Sequence, residues 1–121
     1  NVSSINAERA GAIPNPGYAA AKGGINAMTT NMAVHHGRDN IRVNAIAPGH
    51  IHGSFVSGIP EKHRDLRRRA GPLGTEGTAW DVAWAAVFLA SDESRWISGV
   101  VLPVDAGTLA ATPLSMLHHL Q

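Results

Sequence analysis

Tyr18 and Lys22 stand four positions apart, behind a segment, Asn1-Val2-Ser3-Ser4, that carries two hydroxyls. On a helix, residues at i and i+4 lie one above the other on one face, so the Lys22 ammonium can sit beneath the Tyr18 phenol. A free tyrosine titrates near pH ~10, and bringing it to neutrality means favouring the phenolate by roughly 4 kcal/mol. A neighbouring ammonium does this by charge. A serine hydroxyl from another element could orient and polarise a substrate oxygen while Tyr18 gives or takes the proton. The same pair on a solvated helix face carries no chemistry, so its meaning depends on what surrounds it.

The elements that must position these groups can be read along the chain. Residues 1–4 end a strand, and 5–17, rich in Gly, Pro and Asn, form a loop that should line a substrate pocket. Pro16 suits the first turn of a helix that runs to about His36, with Ala21, Ile25, Met28 and Met32 as its apolar stripe and Gly37 as its stop. Residues 41–47 read as a short buried strand. Its Pro48-Gly49 exit turns the chain over a sheet's carboxyl edge, where open α/β sheets bind ligands. Residues 50–77 read as loop and lid. Thr78-Ala79-Trp80-Asp81 has the capping-box pattern and opens a helix to about Ala90, apolar nearly all round and so in need of cover on more than one side. The last strand, 97–104, includes Pro103, which cannot donate to a ladder and suits an edge.

Two segments give the Tyr/Lys pair its context: Asn40-Ile41-Arg42-Val43-Asn44-Ala45-Ile46-Ala47-Pro48-Gly49-His50-Ile51 and Trp96-Ile97-Ser98-Gly99-Val100-Val101-Leu102-Pro103-Val104-Asp105-Ala106-Gly107. In this order, with the serine and the pair ahead of them, they closely resemble the C-terminal half of a short-chain dehydrogenase/reductase. The resemblance implies a Rossmann-like, doubly wound parallel α/β fold and NAD or NADP as cofactor. It implies Ser4 as the substrate-orienting serine and Tyr18 as the general acid/base. Lys22 would lower the tyrosine pKa and hydrogen-bond the nicotinamide ribose. Pro48, Gly49 and Ile51 match the loop that holds the nicotinamide end, so these three join Tyr18 and Lys22 as expected cofactor contacts. Many members carry a threonine two positions beyond the residue matching Ile51; here that position is Gly53, and Ser54 could take its place if the loop shifts. The interval from Ser4 to Tyr18 is one residue longer than in many members, which a longer loop from Ile5 to Gly17 absorbs.

The glycine-rich strand-to-helix turn that would seat a pyrophosphate has no counterpart in this sequence. The expectation is that residues 1–121 form the C-terminal part of a single NAD(P)-binding domain about twice as long, with the N-terminal half absent and the fragment inactive alone. The residues that would choose NAD or NADP belong to that half.

Composition adds boundaries. A hydrophobic share of 44% suits a globular protein, and the absence of cysteine excludes disulfides and thiolate zinc sites and fits a cytoplasmic protein. No run of about 18 apolar residues suggests a membrane span. The net charge of +1 points to no nucleic-acid partner. The basic cluster Lys62-His63-Arg64-Asp65-Leu66-Arg67-Arg68-Arg69 contains an acid and no aromatics, so it reads as a solvated helix face. In the resembled family this region is a mobile lid, and arginines there could bind an acidic substrate group. The seven histidines show no metal-ligand spacing, so no metal is expected; His50 and His52 flank Ile51, where they could tune a nicotinamide.

The resulting reading is an oxidoreductase interconverting a secondary alcohol and a ketone, with a small-molecule substrate. By resemblance it is a homo-oligomer when full length, the last strand and the helix before it forming one dimer contact within a tetramer. The alternatives are a catalytically silent member acting as a subunit or binding protein, and a freestanding small-molecule or peptide-binding module. The last requires a stable fold from this chain alone.

Overall fold

The computed structural model describes residues 1–121, the side chain at position 55 excepted. Its helices are α1 (Pro16–His36), α2 (Glu61–Ala70), α3 (Ala79–Ala90) and α4 (Leu117–Leu120). Its strands are β1 (Ala45–Pro48), β2 (Ile51–His52), β3 (Gly77–Thr78) and β4 (Val101–Val104). β1 and β4 pair in parallel, Ala45 opposite Val101 and Pro48 opposite Val104. On the other side of β1, Val2 forms a parallel bridge with Ile46. Ser3 N–H donates to the Ile46 carbonyl at 2.7 Å, and Ile46 N–H to the Asn1 carbonyl at 3.0 Å. β1 is therefore central, and Ala45, Ile46 and Ala47 are all buried. Such a continuous apolar run is what a parallel strand covered on both faces requires. Pro103, opposite Ala47, sits on the outer strand, where its missing N–H removes no ladder bond. A second parallel pair joins β2 to β3.

Both longer strands are shorter than the sequence suggests, and side chains explain why. Asn44 Nδ2 donates to the Ile97 carbonyl at 2.9 Å and its Oδ1 accepts from Val100 N–H at 3.1 Å. The Arg42 guanidinium donates to the carbonyls of Ile97, Leu89 and Ser91. These contacts satisfy backbone groups that a ladder would otherwise pair, so 41–44 and 97–100 lie side by side without strand geometry.

Helix α1 starts as expected: Pro16 occupies its first turn and the Asn15 side chain accepts from Tyr18 N–H at 3.2 Å. Its end and its buried face differ from expectation. Gly37 is right-handed at φ −61 and the chain continues as a 3-10 turn over Gly37–Asp39; Asn40, left-handed at φ 61, makes the stop. The expected stripe is also rotated, for Met28 is 45% exposed while Thr29 is fully buried. The Thr29 hydroxyl donates to the Ile25 carbonyl and accepts from Asn1 Nδ2, both at 2.8 Å, so a polar side chain can take the inner position. The expected lid, 50–77, contains helix α2.

Helix α3 has its capping box. The Asp81 carboxylate accepts from Thr78 N–H at 2.6 Å and from the Thr78 hydroxyl at 2.8 Å, and these bonds hold its pKa below the usual carboxylate value. A depressed carboxyl stabilises the folded state above its unfolded pKa, and that contribution is lost as pH falls through the folded pKa. Acidification should accordingly lower the protection of the amides in the first turn of α3 relative to their intrinsic exchange rate at each pH, and Asp81→Asn should remove that pH dependence of protection. Beyond the cap, Trp80, Trp84, Val87 and Phe88 share one face at helical spacing and are 71%, 67%, 59% and 40% exposed. Among the described residues none gives this face of α3 its second cover.

Candidate active site

The end of the first segment is stapled to helix α1. Ser3 Oγ donates to the Lys22 carbonyl at 3.0 Å, and Lys22 Nζ donates to the Val2 carbonyl at 3.0 Å. The ammonium stands 5.6 Å from the Tyr18 ring centroid, within cation–π range. The i,i+4 spacing thus brings the two groups together on one helix face. The Tyr18 hydroxyl has no hydrogen-bond partner among the described residues, and the residue is 37% exposed. Lys22 uses one of its three donors on Val2, which leaves two for other acceptors.

Ser4 is buried and caps the 3-10 turn Ile5–Ala7, its Oγ accepting from Asn6 N–H at 3.1 Å. That bond uses a lone pair and leaves the hydroxyl proton to donate. The chain places Ser4 and the Tyr18/Lys22 helix next to one another, because the Ile5–Ala7 turn packs against α1.

The loop after β1 has structural reasons of its own. Gly49 N–H donates to the Val104 carbonyl at 2.9 Å, and a Cβ at Gly49 would lie 2.6 Å from Asp105 Cα. Close packing against the end of β4 therefore requires glycine here, whatever the loop binds. Pro48 closes β1 and Ile51 opens β2, with Ile51 N–H bonded to the Gly49 carbonyl and the Ile51 carbonyl accepting from Arg67 Nη2. Ser54 begins a 3-10 turn and is exposed. Gly53 is extended, at φ −174, with open space where a side chain would go. Gly53→Thr should fit without strain; if the site takes a nicotinamide carboxamide, the dissociation constant for NAD(P)H should fall roughly fivefold, the worth of one hydrogen bond. Unchanged or weaker binding by titration would mean that Ser54 or a main-chain group already fills that place.

The lid arginines are occupied. Glu76, with its side chain 4% exposed, lies between Arg64 at 2.9 Å and Arg67 at 3.4 Å. Arg68 pairs with Glu61 at 2.7 Å and Arg69 with Asp65 at 3.0 Å. With Lys62, the helix sets five cations against the three carboxylates of Glu61, Asp65 and Glu76, so the cluster is only partly neutralised by these pairs. A cleft of about 380 Å³ lies behind it, lined by His50, Arg67, Glu76 and Asp105 among others, and by none of Ser4, Tyr18 and Lys22. Burial, reinforced by the Arg67 guanidinium, lowers the His50 pKa. His50 therefore faces the lid's carboxylate–guanidinium network. Sequence reading missed Asn15 and Glu76; an Asn directly before a helix-opening Pro signals the first, whereas nothing in the spacing signals the second.

A parallel α/β frame with a tyrosine–lysine pair on the helix behind its first segment is a Rossmann-like arrangement. Residues 1–108 match the family model described as enoyl-(acyl carrier protein) reductase. The chain is 43% identical over 110 residues to the 3-oxoacyl-(acyl-carrier-protein) reductase of Thermotoga maritima, an alignment that takes in 88% of this chain and 43% of that protein. A crystal structure of an Agrobacterium tumefaciens protein with bound NADP superposes with a TM-score of 0.86 at 34% identity, over 92% of this chain and 46% of that one. A 4-hydroxyisoleucine dehydrogenase complexed with NADH and succinate gives a TM-score of 0.83 at 29% identity, over 92% and 45%. The chain belongs to the short-chain dehydrogenase/reductase family, and it spans less than half the length of these relatives. Among the described residues no helix is long and apolar enough to cross a membrane.

Proposed function

We propose that this chain supplies the acid–base half of an NAD(P)-dependent oxidoreductase that interconverts a secondary alcohol and a ketone, as the C-terminal part of one dinucleotide-binding domain. The observation that carries this reading is the Lys22 ammonium, held by Val2 and set 5.6 Å from the Tyr18 ring beside the Ser4 turn. A bound nicotinamide would supply the hydride acceptor or donor. In the oxidative direction, Ser4 donates its free proton to the alcohol oxygen and fixes it. Tyr18, with the Lys22 ammonium beside it, takes the hydroxyl proton while the carbinol hydrogen leaves with its electron pair. Reduction of the ketone reverses both transfers. Pro48, Gly49, Ile51 and Ser54 form the loop proposed to border the nicotinamide, with Lys22's two remaining donors available to a ribose.

The test is turnover. A chain that carries the upstream half of the fold should bind NADH or NADPH and change nicotinamide absorbance with secondary alcohols or ketones. Binding without turnover on any of them would leave a silent subunit instead. The uncovered Trp80/Trp84/Val87/Phe88 face of α3 supports a homo-oligomer, since a second copy can bury it.

A further inference from the structure

Helix α2 has little apolar surface to seat it. Its one large apolar residue, Leu66, is 41% exposed, and every other position from 61 to 69 is charged or histidine. Besides its contact with α4, the helix is tied down through the buried carboxylate of Glu76. Glu76 Oε2 accepts from Arg64 Nε at 2.9 Å. Arg67 spans two acceptors: Nη1 stands 3.4 Å from Glu76 Oε1, and Nη2 donates to the Ile51 carbonyl at 3.3 Å. Glu76 directly precedes Gly77, which is the partner of Ile51 in the β2–β3 pair and whose N–H donates to the His50 carbonyl at 3.0 Å. These contacts close a ring that runs from Ile51 through Arg67 to Glu76, along the chain to Gly77, and back through His50. Ile51 is thereby held from two sides, by a strand and by a guanidinium. The ring has a reason to stay closed, since a buried carboxylate stripped of a cation is costly.

We infer that Arg67 and Glu76 are positioning residues for the proposed cofactor loop: Glu76 aims the Arg67 guanidinium, and Arg67 sets the Ile51 carbonyl and with it the course of residues 50–54. The inference rests on the reading, given above, of Pro48, Gly49, Ile51 and Ser54 as the border of a nicotinamide. Neither positioning residue needs to touch the cofactor. The start of the loop is pinned separately, by the bond from Gly49 N–H to the Val104 carbonyl, and Arg67 reaches its middle. A planar guanidinium can serve a carboxylate and a carbonyl at once, which a lysine ammonium on its flexible stem does poorly. A loop fixed before the cofactor arrives gives up less conformational freedom on binding, so this buried ion pair contributes to cofactor affinity from outside the site.

The experiment titrates NADH and NADPH into a chain that carries the upstream half, with Arg67→Met, Arg67→Lys and Glu76→Gln beside the unchanged protein. Arg67→Met should raise the dissociation constant about fivefold, the worth of one hydrogen bond, and should act on KM for the cofactor more than on kcat. Arg67→Lys, which keeps the charge, should restore only part of the affinity. Glu76→Gln separates positioning from a simple field effect. Removing a negative charge would tighten the binding of an anionic cofactor if only the field mattered, whereas a loosened Arg67 weakens it. In the variant carrying both Glu76→Gln and Arg67→Met the loss should be no larger than in Arg67→Met, because Glu76 acts through Arg67. An unchanged dissociation constant in Arg67→Met, or tighter binding in Glu76→Gln, would overturn the inference. If the unchanged protein binds neither NADH nor NADPH, the proposed function fails, and amide exchange over 50–54 alone decides the positioning: faster exchange in Arg67→Met upholds it, identical exchange overturns it.

Discussion

Replacing Tyr18 by phenylalanine is expected to lower turnover at least about a hundredfold in a chain carrying the whole fold, with NAD(P)H still bound. The substitution keeps the ring over which Lys22 sits and removes only the hydroxyl group that exchanges the proton. Because the Tyr18 hydroxyl has no protein partner among the described residues, the loss should appear in kcat with little change in thermal stability. Turnover within a few-fold of the unchanged protein would dismiss Tyr18 as the acid/base. Lys22→Met should behave differently. It removes the ammonium beside the phenol and also leaves the Val2 carbonyl without its donor at 3.0 Å. Cofactor affinity, turnover and stability should then fall together, and the contrast with Tyr18→Phe separates proton transfer from positioning.

Expressed alone, residues 1–121 should be molten or aggregated and bind neither NAD nor NADP. The folded chain exposes 8100 Å² at a mass of 12.7 kDa. A compact monomer of that mass exposes about 6200 Å², so the excess is about 1900 Å². If only a quarter of that excess is apolar area awaiting a partner, at about 25 cal/mol per Å² it stands for about 12 kcal/mol, comparable to the whole stability of a domain. The buried apolar residues tell the same story: Ile5, Ala45, Ile46, Ala47, Leu89 and Met116 form a very small core, while Ile41, Trp80, Trp84 and Val87 are about half exposed or more. A sharp cooperative melt of the monomer, or tight NAD(P)H binding seen by calorimetry, would show that this half is self-sufficient.

Much of the frame was legible because local chemistry decided it. Pro16 ahead of an alanine-rich run starts α1, and Thr78 with Asp81, three residues apart, starts α3. The Tyr18/Lys22 juxtaposition follows from helix geometry alone. What the sequence concealed depends on distant partners. The burial of Thr29 needs Asn1, which is 28 positions away, and the shortening of the strands needs Asn44 and Arg42 to reach carbonyls about 50 positions on. The run 19–24, small at every position but Lys22, gives α1 no strong stripe, so its inner face could be read one position off. The pairing of Arg67, and one of the two pairs of Arg64, likewise hinges on Glu76, which lies outside their helix.

The bond from Lys22 Nζ to the Val2 carbonyl has a thermodynamic consequence for any ligand of this site. A free lysine side chain carries roughly 1.5–2 kcal/mol of rotamer entropy that must be given up when it grips an acceptor. Here the chain's own backbone has already fixed the ammonium, so that loss falls on folding and not on ligand association. A ligand that uses the lysine's two remaining donors meets an anchored cation, and its affinity should depend on whether the first segment stays paired to β1. Loosening Val2 from Ile46 would therefore weaken binding at a place the ligand never touches.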